Sequence, residues 1–393
     1  MNICRLKYRI GASSFYFIQG FSVTSWVSRL PDIKSSLSLS DASLGVLLLA
    51  PPAGQLVAMA LSGWLVKRFG SSRIVCIAGL LLSGWLPVLG MISNLFGLAA
   101  ALFFFGMATN LSNISVNTQC VGVERIYGKS IMASFHGIWS LAGIGAILLS
   151  SFCAVHGISP TINFLYAAVL LVCIFLLSFR NLLPRDHHSA SEQKKNMKFR
   201  DLLKESSLWI LGIISLGCLG CEGVMNNWTS IYFQKNIASE AEYVRAGFLV
   251  YMLSITCCRF TADWFVRKWG GKTMIRLAGC LIMLGMVLMT SISSLIPAVI
   301  GCALVGIGVS SIVPVCYGIA GKCDGIPVAT AITMVASIGF LGFLLLPAVV
   351  GFISEWVGLK IALLIVGAIS FLATQSILLI GKGQKGSMVR STQ

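Results

Sequence analysis

The sequence has few charged residues. Only 11% of its 393 residues are Asp, Glu, Lys or Arg, whereas soluble domains carry about 25%. The length would allow two or three soluble domains, but there is too little polar side chain to cover their water-facing surface. What the sequence has instead is 56% hydrophobic residues, a mean hydropathy of +0.88 and 40 glycines, and glycine is more common in membrane helices than in soluble ones. The composition predicts an integral membrane protein.

The sequence also lacks the motifs of several catalytic classes. It holds no G-x-x-x-x-G-K-[ST] phosphate loop, which excludes a built-in ATP motor. Its one C-x-x-C pair, Cys218 and Cys221, is followed by no second pair or histidine at zinc spacing, so we expect neither a metal nor a cofactor. His156, His187 and His188 lie in loops predicted on opposite sides of the membrane, so they cannot form one catalytic cluster. We expect no enzyme.

Long apolar runs recur along the whole chain, at the length of about 20 residues that crosses a bilayer. Because short loops separate them, we predict an all-α polytopic membrane protein with twelve transmembrane helices and no membrane barrel. The predicted spans are 9–28, 43–66, 74–92, 95–119, 131–154, 161–179, 207–233, 244–266, 273–292, 295–320, 327–353 and 359–380.

The basic residues orient these spans. With both termini inside, the outer segments keep only Arg29, Lys34, Lys235, Arg245 and Lys360, and this asymmetry is the positive-inside rule. We predict a multi-pass protein of the bacterial inner membrane with both termini cytoplasmic. The net charge of +16 then reflects topology, and nucleic acid is not an expected partner because the basic residues do not cluster on one face. Most of them lie in the inner segments, among them Arg5, Lys7, Arg9, Lys67, Arg68, Arg73, Arg125, Lys129, Arg267, Lys268, Lys272, Arg276, Lys322, Lys382, Lys385 and Arg390.

An internal repeat relates two distant parts of the chain. Residues 64–70 read WLVKRFG, and positions 264–270, at the same place in the second half, read WFVRKWG. A long polar stretch between the two copies predicts a flexible linker. We therefore predict an N-terminal six-helix bundle at 1–180, a cytoplasmic linker at 181–206, and a C-terminal six-helix bundle with a short cytoplasmic tail at 207–393. Two six-helix halves related by a parallel repeat describe one known transporter architecture.

The motif in the first copy resembles the cytoplasmic signature of the major facilitator superfamily. Shorter motifs resemble the YbjJ-like bacterial inner-membrane branch of that superfamily, and they are spread over the full chain. The resemblance implies loops that take part in the conformational switch, with Arg259 and Asp263 as an ion pair one helical turn apart. The residues that match the signature, or its second copy, are Gly63, Lys67, Arg68, Gly70, Arg73, Arg259, Asp263 and Gly270. The YbjJ-like motifs are Ser25-Trp26-x-x-Arg29-x-Pro31, Asn117 with Val123-Glu124-Arg125, His136-Gly137-x-x-Ser140, and Glu222-Gly223-x-x-Asn226-Asn227-Trp228.

Polar residues deep in the spans are the candidates for the translocation pathway, because they are costly in hydrocarbon. Glu222 is the one carboxylate deep in a span, and desolvation would favour its protonated form, which suits proton exchange. The alternative is a protonated glutamic acid bonded to a neighbouring helix. Asn110, Asn113 and Asn117 share one helical face, which fits either a hydrated pathway or hydrogen bonding between helices.

Four further residues complete the candidate set. Gln19 lies midway along the first span, and the resemblance implies that spans 1, 4 and 7 line the cavity. Asn226 follows Glu222 by one turn, and Trp228 is placed to stack on a ligand or to anchor at the outer interface. His136 is a second proton-coupling candidate, with a structural hydrogen bond as the alternative.

These features favour a secondary active transporter that works by alternating access. The amide-rich face and the absence of a basic side chain at mid-depth favour a small polar, sugar-like solute, with protons as the candidate coupling ion. The alternatives are an exporter of a drug, metabolite or siderophore, and a transporter-like membrane sensor. We expect a monomer whose partners are its solute and the lipid bilayer.

Overall fold

The structure is a computed structural model that describes residues 2–128, 131–184, 205–237, 240–323, 326 and 328–380. Most of the predicted linker and the C-terminal tail lie outside these residues. The described chain forms fourteen α-helices and no strand. The helices are α1 (Asn2–Ser28), α2 (Leu30–Ser36), α3 (Asp41–Leu47), α4 (Ala50–Phe69), α5 (Ser71–Met91), α6 (Leu95–Tyr127), α7 (Met132–Val155), α8 (Pro160–Ser178), α9 (Ser206–Asn236), α10 (Ala246–Trp269), α11 (Gly271–Ser291), α12 (Leu295–Ala320), α13 (Val328–Val357) and α14 (Leu359–Gln375).

The membrane-spanning helices agree with the predicted all-α, twelve-helix arrangement. In the described part of the chain, ten helical segments are long and apolar enough to cross a membrane, with α3 and the first half of α4 counted as one. The two remaining spans, α1 and α10, are more polar. In α1 the polar side chains Gln19, Ser22 and Thr24 are buried in the protein, so they do not meet lipid.

The second predicted span is broken near its outer end. It consists of the short helix α3 and the longer helix α4, and Pro51 and Pro52 lie in the first turn of α4. Proline cannot donate a backbone hydrogen bond, so it begins a helix readily and does not continue one. The equivalent helix of the second half, α10, starts at Ala246 without such a break.

The repeat seen in the sequence is present in the backbone. Gly70 joins α4 to α5 at φ 85° and ψ 146°, and Gly270 joins α10 to α11 at φ 80° and ψ 151°. A positive φ costs glycine almost nothing, so the same sharp turn occurs at the equivalent place in both halves. Helices α1–α8 form one half and α9–α14 the other. Following the predicted orientation, we call the side of these two glycine turns inner and the opposite side outer.

Small residues bring α9 and α13 into close contact in the second half. A Cβ atom built on Gly223 would lie 2.9 Å from the carbonyl oxygen of Phe343, and one on Gly339 would lie 2.9 Å from Cβ of Ser215. Close approach at small residues is how membrane helices gain packing contacts. This contact buries one face of α9 and leaves the face with Glu222 partly exposed.

Candidate functional site

The two halves are joined at their outer ends by a buried arginine cluster. Arg245, which precedes α10, donates from Nε to the carbonyl oxygen of Ser28 at 2.7 Å and also pairs with Asp32. Oδ2 of Asp32 lies 3.5 Å from Nε of Arg29. The Nη1 and Nη2 atoms of Arg29 donate to the carbonyl oxygens of Ser150 and Ile158. Both arginines are at most 2% exposed. Burial lowers the pKa of Arg29, and the neighbouring Asp32 carboxylate partly opposes that shift.

A second cluster at the outer side is built around Asp41, at the start of α3. Its carboxylate lies 2.9 Å from Nζ of Lys34 and 3.2 Å from Nζ of Lys235, and it accepts a hydrogen bond from Ser354. Lys235 and Ser354 belong to the second half, so Asp41 also bridges the halves. The adjacent helices touch backbone to backbone, because a Cβ on Gly45 would lie 2.7 Å from the carbonyl oxygen of Ala348.

These outer clusters were missed at the sequence level, although a signal was present. Arg29, Lys34, Lys235 and Arg245 were visible as exceptions to the positive-inside rule. Each of the four pairs with Asp32 or Asp41. Four of the five basic residues on the outer side are therefore explained by ion pairs, and two of these pairs, Arg245 with Asp32 and Lys235 with Asp41, join the two halves.

Glu222 and Arg259 form an ion pair between α9 and α10. The guanidinium Nη2 lies 3.4 Å from Oε1 of Glu222, with the two side chains 38% and 21% exposed for Arg259 and Glu222. Glu222 lies at the middle of α9, and Arg259 lies a little past the middle of α10. Because both helices cross the whole bilayer, the pair lies near the middle of the membrane.

This pair corrects one expectation. A basic side chain does reach mid-depth, so the expected absence of one was wrong and no longer counts against an anionic solute. Arg259 also contacts Glu222 on α9, a partner that the sequence did not indicate, and its expected pairing with Asp263 stays a prediction. The side chain of Asp263 lies outside the described part of the structure.

A chain of hydrogen-bonded polar side chains in the first half links α1 to α6. The hydroxyl of Tyr16 donates to Oδ1 of Asn117 at 2.6 Å, and Nδ2 of Asn117 donates to Oδ1 of Asn113 at 2.7 Å. The ring of His136 meets the ring of Tyr16 edge-on with centroids 5.3 Å apart. His136 is exposed, and it lies close enough to Arg259 for their charges to interact across the halves. The polar chain of the first half and the ion pair of the second half therefore approach each other at His136 and Arg259.

Three other predicted residues have buried polar atoms without a partner. Oε1 of Gln19, Oδ1 of Asn110 and Oδ1 of Asn226 make no hydrogen bond within the described chain. Asn110 is thus not part of the chain formed by Asn113 and Asn117. Asn226 lines a cavity of about 100 Å³ between the halves, together with Trp26, Gln55, Thr109, Trp139 and Phe343. Unpaired buried polar atoms are costly, so these three positions are suited to a bound water or solute.

The structure does not support either predicted role of Trp228. Its side chain is fully buried, and Nε1 donates to the carbonyl oxygen of Pro347 at 2.9 Å. The indole can therefore neither stack on a solute nor anchor at the membrane interface. It ties α9 to α13 at the proline within α13.

We expect the variant Trp228→Phe to unfold at a lower temperature and to bind ligand unchanged. Phenylalanine keeps most of the apolar packing but leaves the Pro347 carbonyl without its donor, which costs about 1–3 kcal/mol. Thermal unfolding in detergent measures the effect. The matched control is Trp356→Phe on α13, because Trp356 is 90% exposed. An unchanged melting temperature with weakened ligand binding would contradict this role.

The signature residues lie at the inner ends of α4 and α5. Lys67, Arg68 and Arg73 are exposed there, and a Cβ added to Gly63 would meet nothing within 4 Å. Their part in the conformational switch stays a prediction. No group of three or more His, Cys, Asp or Glu in the described residues could hold a metal ion.

Two helical halves joined at one side, with polar side chains of both halves close together near mid-depth, define a membrane transporter of the two-bundle type. The sequence model of the Major Facilitator Superfamily matches residues 12–323, and the chain belongs to that family. Its members are transporters and not enzymes.

Three known proteins illustrate the likeness. An uncharacterized MFS-type transporter of Yersinia pestis is 30% identical over 359 residues, which is 91% of each chain. The cis,cis-muconate transport protein of Acinetobacter baylyi is 23% identical and covers 87% of this chain and 86% of its own. The crystal structure of the nucleoside transporter NupG superposes with a TM-score of 0.74 at 16% identity, covering 97% of this chain and 100% of that one. The last comparison concerns the fold alone.

Proposed function

We propose that the protein moves a small polar solute by alternating access, with the binding site between the Glu222–Arg259 pair and the polar chain of Tyr16, Asn117 and Asn113. The observation that carries the proposal is the pair itself, an ion pair between α9 and α10 near mid-depth whose two side chains are partly exposed. In this mechanism the halves rock about a site near the bilayer midplane and expose it to one side at a time. The outer clusters of Asp32 and Asp41 would hold the inward-facing state.

We further propose that protons drive the transport through Glu222. When Glu222 is ionised it neutralises Arg259, and when it takes up a proton the guanidinium is released from the pair. A solute that binds to the released guanidinium or to the neighbouring amides would then couple its own binding to the proton. His136 faces Arg259 from the other half and is the second group that can carry the proton.

Two solute classes suit this site. The amides of Asn113 and Asn117 favour a neutral, hydroxylated solute such as a sugar, and the fold neighbour NupG is a nucleoside transporter. Arg259 favours a solute with a carboxylate, because a guanidinium offers a fork of donors that matches a carboxylate. The muconate transport protein of Acinetobacter baylyi is a relative whose name states a dicarboxylate. The direction of transport, uptake or export, is set by the gradients that solute and proton experience.

A ligand panel with one variant separates the two classes. We expect a bound ligand to raise the free energy of unfolding of the purified protein by RT ln(1 + [L]/Kd). This is about 2.7 kcal/mol when the ligand concentration is 100 times Kd. A carboxylated ligand should raise the melting temperature of the wild type and not of Arg259→Gln. A neutral sugar or nucleoside should stabilise both, and should lose its effect in Asn113→Ala. Arg276→Gln, at the exposed inner end of α11, is the matched control.

Flux then separates transport from sensing. Proteoliposomes loaded with a stabilising ligand should exchange it for labelled ligand outside, whereas a sensor on a transporter fold would bind label without accumulating it. Binding without exchange would contradict the proposed transport. For topology we propose the inner membrane, cytoplasmic termini and a monomer, which reporter fusions at the C-terminus and the mass of the purified protein would test.

A further inference from the structure

Each half has an apolar groove on its side, separate from the cavity between the halves. The groove of the second half has a volume of about 410 Å³ and is formed by α10, α11 and α12. The groove of the first half has a volume of about 230 Å³ and is formed by α4, α5 and α6. The lining of each comes from one half only, so neither belongs to the proposed solute pathway.

The two grooves are related by the internal repeat. Several positions of the first groove recur in the second at the same offset that relates Gly70 to Gly270. In each half the first two of the three helices diverge, and both pack on the third, which forms the floor. The same groove has therefore been kept in both halves although most of its side chains differ. The equivalent positions include Leu61 and Thr261, Leu81 and Leu281, and Met107 and Ile307.

The grooves face the lipid. Leu61 in the first groove is 45% exposed and Leu284 in the second is 56% exposed. In a membrane, such apolar surface meets hydrocarbon chains, and a furrow of this kind accepts a chain lengthwise. The second groove extends to Trp269 and Met274, on either side of the Gly270 turn, so its inner end reaches the level of the lipid headgroups.

Basic residues lie at the glycine turn beside that inner end. The turn of the second half carries Arg267 and Lys268, and the turn of the first half carries Lys67, Arg68 and Arg73. Lys272 and Arg276 are bonded instead to Ile380 and Gln375 at the end of the last helix. Lys268 lies over the ring of Trp264 at 5.0 Å. At the equivalent place in the first half, Arg68 lies over the ring of Trp64 at 5.2 Å. A tryptophan with a basic side chain is a common anchor at the headgroup level, and basic residues there attract anionic lipids.

We propose that each groove binds one anionic phospholipid of the inner leaflet, with an acyl chain along the groove and the phosphate against the basic residues of the glycine turn. The groove of the second half is the tighter site, because it is the larger and continues without a gap to its turn. The assignment of both lipids to the inner leaflet follows the predicted orientation of the helices, and the two lipid sites are separate from the proposed solute site.

Native mass spectrometry of the full-length protein tests the proposal with phosphatidylglycerol and with zwitterionic phosphatidylcholine. We expect two phosphatidylglycerol molecules to stay bound per protein after mild activation, the first more tightly than the second, and phosphatidylcholine to dissociate. The variant Thr261→Phe places a ring in the larger groove and should remove the tighter of the two. The control Leu372→Phe alters an equally lipid-facing helix outside both grooves and should change nothing.

The charge requirement is tested separately. The variant Lys268→Gln should weaken phosphatidylglycerol binding about five-fold, the effect of one basic residue at an anionic surface. Lys360→Gln at the outer end of α14 should leave it unchanged. Two bound lipids in Thr261→Phe, or equal retention of the two phospholipids by the wild type, would overturn the proposal.

Discussion

Replacing Glu222 with glutamine is expected to abolish accumulation of solute against its gradient, while exchange of solute across the membrane continues. Glutamine has the size of the protonated acid and can still accept a hydrogen bond from Arg259, but it cannot gain or lose a proton. A pH step of one unit can drive up to about a ten-fold accumulation with one proton per solute. We expect this ratio to fall to one in Glu222→Gln.

The measurement is uptake of a stabilising ligand into proteoliposomes, with and without an imposed pH gradient. Glu240→Gln is the matched control, because Glu240 lies exposed in the segment before α10. Counterflow of labelled against unlabelled ligand shows that the variant still cycles. If Glu222→Gln keeps the full gradient-driven ratio, the proton does not pass through this carboxylate, and His136 becomes the candidate.

The second large effect, a shift in the conformational equilibrium, is expected from Asp32→Asn in the outer arginine cluster. Asp32 pairs with Arg245 and lies near Arg29, so its loss leaves two buried guanidinium groups without a counter-charge. Breaking a buried pair costs about 3–5 kcal/mol, and we expect about 2 kcal/mol here because the Asp32 side chain is 29% exposed. The outward-closed state should lose roughly 30-fold in population relative to the outward-open state.

Hydrogen exchange detected by mass spectrometry measures this shift. Peptides that cover α2, α3 and the start of α10 should exchange faster, and peptides on the inner side of the cavity should exchange more slowly. The double variant Asp32→Asn/Arg245→Gln removes one of the unpaired charges and should recover part of the effect. Lys360→Gln, also on the outer side, is the control. Unchanged exchange in Asp32→Asn would show that other contacts hold the closure.

The sequence was sufficient for the spans and the repeat, because both follow from local properties. The length of an apolar run and the recurrence of the Gly70 turn at Gly270 are both properties of short, continuous segments of the sequence. The spacing of Asn113 and Asn117 likewise predicted a shared face, and the two amides are hydrogen-bonded. Asn110 fits the same spacing, but its carbonyl oxygen has no partner in the described chain.

Contacts between helices could not be read in this way. The contact of Arg259 with Glu222 on α9, 37 positions earlier in the chain, was not indicated by the sequence. Trp228 looked like an interface residue because it is aromatic and near the outer end of its span. Its burial depends on how α13 packs across it, and neither hydropathy nor helical spacing encodes that contact.

The break between α3 and α4 changes where the moving parts of the molecule divide. Helix α3 is separated from α4 by the residues Leu48 and Leu49, while it packs along α13 and carries the aspartate that reaches Lys235. The sequence places α3 in the first half. In the structure, α3 packs mainly against α13 of the second half. When the outer side opens, either the contact of Gly45 with Ala348 separates or the chain bends at Leu48 and Leu49. In the second case α3 moves together with the second half, although the chain connects it to α4 of the first half.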